Sequence, residues 1–284
     1  MKINDYYYAT CATGSDYIEK YSQFAVRSLL RSGVNSSKIH VCVRTEEDRK
    51  KFSEFVPERV VCHEVAEDLS KVRWKYSAGL RRYSLFKIGA LAKTFPVPVC
   101  DESLGKSLVY FDGDVLFFRD PTPFFDKVNN KTWFHHVKDY SFRASRDFGI
   151  TERDVDVNSF DSLSRWVPPV MAHLLLKYTV SSRRLPKTHA CAGLFVLHPK
   201  DHELILSKTY EYTKEIAGLS RFDNDSSVGD QKPMNAVLSI FNVDWHGGHK
   251  DQFADCQNYM NHYFGIDEMK QAYYKKVKEL GLSL

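Results

Sequence analysis

The sequence predicts an α/β protein: a mainly parallel sheet with helices on its faces. Three observations carry that expectation. Short apolar, β-prone runs alternate with amphipathic stretches from the start of the chain, the order through residue 65 is β-α-β-α-β, and no repeat or Gly/Ser/Pro-rich linker interrupts it. With 284 residues, 43% of them hydrophobic and 27% charged, composition excludes disordered, collagen-like and coiled-coil chains. One continuous domain, residues 1–284, is the expected organisation.

Each element follows from local signals. Tyr6 to Thr13 is a strand-like run that stops at Gly14. Asp16 and Glu19 have the spacing of a capping box, opening a helix with Ile18, Tyr21, Ala25 and Leu29 on one face and a stop at Gly33. Ile39 to Val43 reads as a strand, Glu46 to Phe55 as a helix capped by Thr45, and Val60 to Val65 as a third strand. A helix from about Arg82 to Lys93 is broken by Pro96 and Pro98, and the apolar run Ser107 to Phe118 follows. The second half is less regular. Residues 136–168 are polar, with Trp166 ahead of Pro168 and Pro169, and read as an insertion or a substrate-side loop region. Ala192 to Leu197 is a buried strand flanked by helices near Leu204 to Ala217 and Asp230 to Leu238, and Asp267 to Leu280 is a closing, lysine-rich helix.

Charge and cysteine content narrow the function classes. Forty Lys and Arg against 36 Asp and Glu leave a formal charge of +4, too diffuse for a nucleic-acid partner. No run of 18 apolar residues and no signal-like opening is present, so a soluble, unexported, cytoplasmic protein is expected. The six cysteines are widely spaced without a C-x-x-C pair, which predicts buried free thiols in a reducing compartment.

The chemistry concentrates in SLVYFDGDVLFFRDPTPFF. Asp112 and Asp114 interrupt an otherwise apolar run with only Gly113 between them. In an extended chain residues i and i+2 point the same way, so both carboxylates converge on one cation, while glycine admits a ligand close to the backbone. Burying two like charges costs several kcal/mol, on the order of the known penalties, unless something positive pairs with them, and a divalent metal meets that need. The spacing also occurs at Asp154/Asp156 and Asp223/Asp225, but in polar surroundings where solvated charge explains it.

YFDGDVLFFRDPTPFF resembles the D-x-D strand of the GT-A fold glycosyltransferases, in particular glycosyltransferase family 8, and further motifs follow in the family's order. YYYATCATGSDYIEKYSQFAVRSLL is similar to the strand and helix that hold the nucleotide base, with Ala9 and Thr10 on the strand end and Tyr17 at the base-stacking position. RRYSLFKIGAL is similar to the helix that sends a basic residue, here Lys87, to the donor. HACAGLFVLH resembles the N-[SA]-G strand, placing Cys191, Ala192 and Gly193 at the sugar, and GDQKPMNAVL resembles the segment that brings Asp230 and Gln231 to sugar and acceptor. NHYFGIDEMK resembles the late H-x-x-G-x-x-K motif: His262 completes the metal shell with Asp112 and Asp114, while Gly265 and Lys270 reach the diphosphate. The resemblance implies a Rossmann-like GT-A domain with a nucleotide-binding half to about residue 118 and a sugar and acceptor half beyond it. It further implies transfer of a hexose from a UDP-linked donor to a hydroxyl of a carbohydrate, glycan or glycoprotein with retention, using Mn²⁺ or Mg²⁺.

Two departures stand out. Cys191 replaces the family's Asn and loses an amide that would hydrogen-bond the sugar. Lys270 comes two residues late relative to Gly265, and no Pro-Trp follows it.

Physical chemistry supplies the roles. Two carboxylates, an imidazole and diphosphate oxygens make a mixed O/N shell that suits Mn²⁺, and the cation neutralises the departing diphosphate. Tyr17 either stacks on the base or packs on the sheet; Lys87 either meets the phosphates or is a solvated surface lysine. Among eleven histidines, His246 competes with His262 for the third metal position, and the motif context selects His262; His135 and His136 stay unassigned. Asp230 is either an N-cap, an orienting group for the sugar, or, in an inverting enzyme, the general base. A nucleotidyltransferase would need a glycine-rich loop where ATCATGSDY has one glycine, and a paired-metal nuclease would need more carboxylates. A non-catalytic nucleotide-sugar or carbohydrate-binding protein with a structural metal remains the alternative.

Overall fold

Strand β1 (Asp5–Ala12) lies in the middle of the sheet because its residues are apolar on both faces, and from Tyr8 onward every one is buried. The structure is a computed structural model described over residues 5–56, 59–66, 78–95, 106–135, 137–139, 152–178, 186, 188–219, 222, 229–247, 254–263 and 267–282. From β1 the chain enters a helical segment that starts at Ser15–Tyr17, widens into a π-helical turn at Ile18–Ser22 and continues as α1 (Gln23–Arg31). The capping box does not form. Gly14, at φ 79°, is the N-cap and carries no side chain to close the first turn; Asp48 of the next helix accepts its N–H at 2.8 Å, and Asp16 pairs with Lys20 at 2.5 Å. Gly33, at φ 101°, ends the segment as its sequence requires.

The elements that follow are β2 (Ile39–Val43), α2 (Glu46–Phe55), β3 (Val61–Glu64), α3 (Ala78–Thr94), β4 (Lys106–Phe111) and β5 (Val115–Phe117). Thr45 caps α2 as expected, its hydroxyl accepting from the Asp48 N–H at 3.1 Å. The run Ser107 to Phe118 is two strands instead of one. The Val115 N–H bonds to the Asp112 carbonyl at 3.1 Å and closes a tight turn over Asp112–Asp114, taking both carboxylates out of the ladder. Beyond it come α4 (Thr122–Val128), β6 (Thr132–Phe134), β7 (Val137–Asp139), α5 (Phe160–Trp166), α6 (Pro169–Tyr178), β8 (Thr188–Ala190) and β9 (Leu194–Leu197). The chain closes with α7 (Pro199–Ala217), α8 (Gln231–Ile240), β10 (Trp245–Gly247), β11 (Met260–His262) and α9 (Asp267–Glu279). Stretch 136–168 therefore contains β7 and α5, with 136 and 140–151 outside the described residues.

The central sheet has the order β10-β6-β9-β4-β1-β2-β3, and its pairs are parallel except where β9 runs antiparallel between β4 and β6. Alternation along β1 separates the two cores. Tyr6 and Tyr8 join Val41, Val109, Phe111 and Val196 under α1, α2 and α4, whereas Ala9 and Cys11 join Leu108, Tyr110 and Phe195 under α3 and α7. Helices α5 and α6 form a separate apolar layer around Leu163, Trp166 and Met171. Two antiparallel ribbons, β5 with β11 and β7 with β8, lie outside the main sheet.

Among the described residues Cys11, Cys42, Cys62, Cys191 and Cys256 are free thiols, with Cys62 and Cys191 half-buried; Cys100 lies outside them. No described helix is long and apolar enough to cross a membrane.

Candidate metal centre

Parallel strands β1 and β4 end side by side, with β1 flanked by β2 on its other edge, so their carboxyl ends open where an α/β sheet accepts ligands. Asp112 is the first residue after β4, and its N–H donates to the Gly193 carbonyl at 2.7 Å, which ties the turn to the start of β9. The β5–β11 ribbon sets His262 opposite Val115, one residue beyond Asp114. One ligand atom each from Asp112, Asp114 and His262 lies within 4.8 Å of the others. His262 Nε2 is 3.2 Å from Asp114 Oδ1. Burial alone would depress the imidazole, but the Asp114 carboxylate outweighs it and, with the Cys191 thiol, lifts the pKa to about 10. Gly193 has no room for a side chain: a Cβ there would sit 2.1 Å from His262 Cε1 and 3.0 Å from Asp112 Oδ2. Two carboxylates, a buried imidazole and a glycine that keeps them close form a donor set suited to a divalent cation.

Lys87, on α3, is 2% exposed and is no surface lysine. Its ammonium donates to the Ala192 carbonyl at 2.8 Å, pairs with Asp230 Oδ2 at 2.9 Å and Asp112 Oδ1 at 3.3 Å, and lies 4.5 Å from the Tyr110 ring centre. Burial opposes its charge, yet Asp112 and Asp230 together raise its pKa, so it stays an ammonium. Asp112 Oδ1 also accepts from Tyr110 at 2.5 Å and Tyr83 at 3.2 Å. Burial, reinforced by the carboxylate, holds both phenols well above their ordinary pKa and keeps them donors. Asp112 Oδ1 is thus occupied, and Oδ2 faces Gly193 and His262.

Asp230 precedes α8 but makes no side-chain cap, because its carboxylate goes to Lys87. Gln231 Oε1 accepts from the Ala192 N–H at 3.4 Å, and its amide nitrogen lies 3.3 Å from His189 Nε2. One turn on, Asn235 brackets the Ala190 backbone, accepting its N–H and donating to its C=O, both at 2.7 Å. These bonds fix the Cys191–Gly193 turn against α8.

Of the remaining expected residues that the structure describes, Tyr17 reaches the acidic turn. The Tyr17 hydroxyl accepts from the Gly113 N–H at 3.0 Å, and its ring leans on Tyr21 and Tyr83. Ala9 is buried in the core, and Thr10 is fully buried, its hydroxyl without a hydrogen-bond partner among the described residues. Lys270 is not brought to the turn. Exposed on α9, it pairs with Asp267 at 3.1 Å. Gly265, His136, Asp223 and Asp225 lie outside the described residues. His246 bonds to the Val128 carbonyl at 2.8 Å in β10, away from the acidic pair. His135, buried at the end of β6, lies 6.2 Å from His262, ring centre to ring centre.

Tyr83, Tyr110, Asn235 and Gly193's steric role are not visible as site features in the sequence. Only Tyr110 carries a local signal, two residues before Asp112 on the same side of its strand.

Solved structures share this architecture. The galactosyltransferase LgtC, in complex with donor and acceptor sugar analogues, matches with a TM-score of 0.53 at 14% identity over 96% of this chain and 95% of its own. Mouse xyloside xylosyltransferase 1, in its apo form, matches with a TM-score of 0.50 at 13% identity over 93% of this chain and 99% of its own. The fold is the GT-A fold. By sequence, no protein-family model and no curated protein matches the chain.

Proposed function

We propose that this chain is a metal-dependent glycosyltransferase of the family 8 kind, moving a hexose from a UDP-linked donor to a hydroxyl of a carbohydrate or glycoprotein acceptor. One observation carries the reading: His262, remote in sequence, meets Asp112 and Asp114 at the carboxyl end of β4 in a GT-A fold. When bound there, Mn²⁺ or Mg²⁺ supplies Lewis-acid stabilisation of the leaving diphosphate. The chain's own residues prepare the site. Tyr83, Tyr110 and Lys87 hold Asp112 Oδ1 and so aim Oδ2 at the ligand position. Residues to about 118 receive the nucleotide and later residues the sugar and acceptor, with Cys191, Ala192, Gly193 and Gln231 on the sugar side.

Asp230 acts by position. Its carboxylate is engaged at 2.9 Å by the buried Lys87 ammonium, an arrangement that suits an orienting group in a retaining enzyme. The test is a screen of sugar nucleotides for release of the nucleoside diphosphate. UDP release that requires Mn²⁺ and stops with chelator is the expected result. Metal-dependent UDP binding without turnover of any donor would replace the enzyme by a binding protein.

A further inference from the structure

Main-chain partners serve the flanks of the acidic turn. Asp112 N–H bonds to the Gly193 carbonyl, Asp112 C=O accepts from Val115, and Asp114 C=O accepts from the Tyr263 N–H at 3.0 Å. Gly113 differs, since both of its polar groups go to phenols. Its N–H donates to the Tyr17 hydroxyl at 3.0 Å, and its C=O lies 3.2 Å from the Tyr273 hydroxyl, which is also 3.2 Å from the Tyr21 carbonyl.

Tyr273 belongs to α9, far along the chain from the turn, and is wholly buried. Its ring packs against Phe24, Tyr21 and Tyr263. A phenylalanine would fill that space equally well, so the buried hydroxyl is there for the carbonyls it reaches. The two peptide planes on either side of Gly113 orient the two carboxylates, and each plane is held by one of the phenols.

We propose that Tyr273, opposed by Tyr17, is a positioning residue: it clamps the Gly113 peptide so that Asp112 and Asp114 hold the separation a divalent cation needs, and docking of α9 thereby sets the metal affinity. This rests on reading Asp112, Asp114 and His262 as metal ligands. A merely structural tyrosine would change thermal stability and leave metal affinity alone.

The experiment measures Mn²⁺ binding directly, from the loss of the free-ion paramagnetic resonance signal, for the wild type, Tyr273→Phe, Tyr17→Phe and Tyr212→Phe, a buried tyrosine of another core cluster. Removal of one hydrogen bond to the turn predicts affinity about 3- to 10-fold weaker for the first two variants and unchanged for the third. Wild-type affinity in Tyr273→Phe, with Mn²⁺ bound normally by the parent, overturns the clamp and leaves the metal site standing. A parent that binds no Mn²⁺ overturns the metal reading itself. Should Tyr273→Phe fail to fold, Tyr17→Phe decides, and undiminished affinity there overturns the clamp.

Discussion

Two of the three stretches with Asp-x-Asp spacing share that spacing and nothing else. Asp112–Asp114 ends a buried strand and is gripped by Lys87, two phenols, His262 and the Gly193 carbonyl. Asp154–Asp156 lies on the surface, where Asp156 accepts the Asn158 N–H at 2.9 Å and only shapes a turn. The lesson is energetic. An exposed carboxylate is solvated at no cost, whereas a carboxylate kept at the edge of an apolar core must be compensated, and the compensating groups are what define a site.

That contrast is open to attack in order of expected effect. Lys87→Met removes a buried countercharge and leaves Asp112 and Asp230 facing each other; a loss of about 3–5 kcal/mol in urea unfolding is expected, against near-neutrality for an exposed lysine such as Lys270. His202, on α7, shows a buried ionisable group that has no such compensation. Both ring nitrogens lack hydrogen-bond partners among the described residues, and burial pushes its pKa down to about 4. Its folded value lies below the unfolded one, so the unfolded chain takes up the proton first. Stability is full above about pH 6.5 and falls by about 3 kcal/mol as the pH drops to 4. His202→Leu should flatten that acid limb in denaturation followed by circular dichroism.

Asp114→Asn should weaken Mn²⁺ binding by more than about 100-fold with unfolding little changed. Gly193→Ala, which drives a methyl into His262, should cost about 10-fold in the same titration and about 1–3 kcal/mol of stability. Smallest of all, Asp156→Asn keeps the turn geometry and should leave metal binding untouched and stability within about 0.5 kcal/mol. A drop in metal affinity from that last change would erase the distinction between the two triplets.

How much of this was readable in advance depends on the range of the interaction. The strands Ile39–Val43 and Asp5–Ala12 and the Thr45 cap are local, and their residues announce them. Asp112 and Asp114 were legible because charge stands out in an apolar run. His262 was legible only through family resemblance, since nothing near it in sequence predicts that the β5–β11 ribbon will set it beside Asp114. Tyr83 and Tyr273 were invisible. A buried tyrosine has the pattern of any core aromatic, and the partner of its hydroxyl is decided by tertiary geometry, as with these two. The capping box failed for the converse reason: Asp16 and Glu19 have the right spacing, but Asp48 from another helix reaches Gly14 first.

The antiparallel insertion of β9 between β4 and β6 has a consequence for biogenesis. On the ribosome β4 emerges long before β9, and until Leu194–Leu197 arrives one edge of the growing sheet shows bare peptide groups to other nascent chains. Protection of that edge therefore waits for a late segment, and a polypeptide released before it is adhesive, while the acidic corner closes later still, when His262 of β11 arrives.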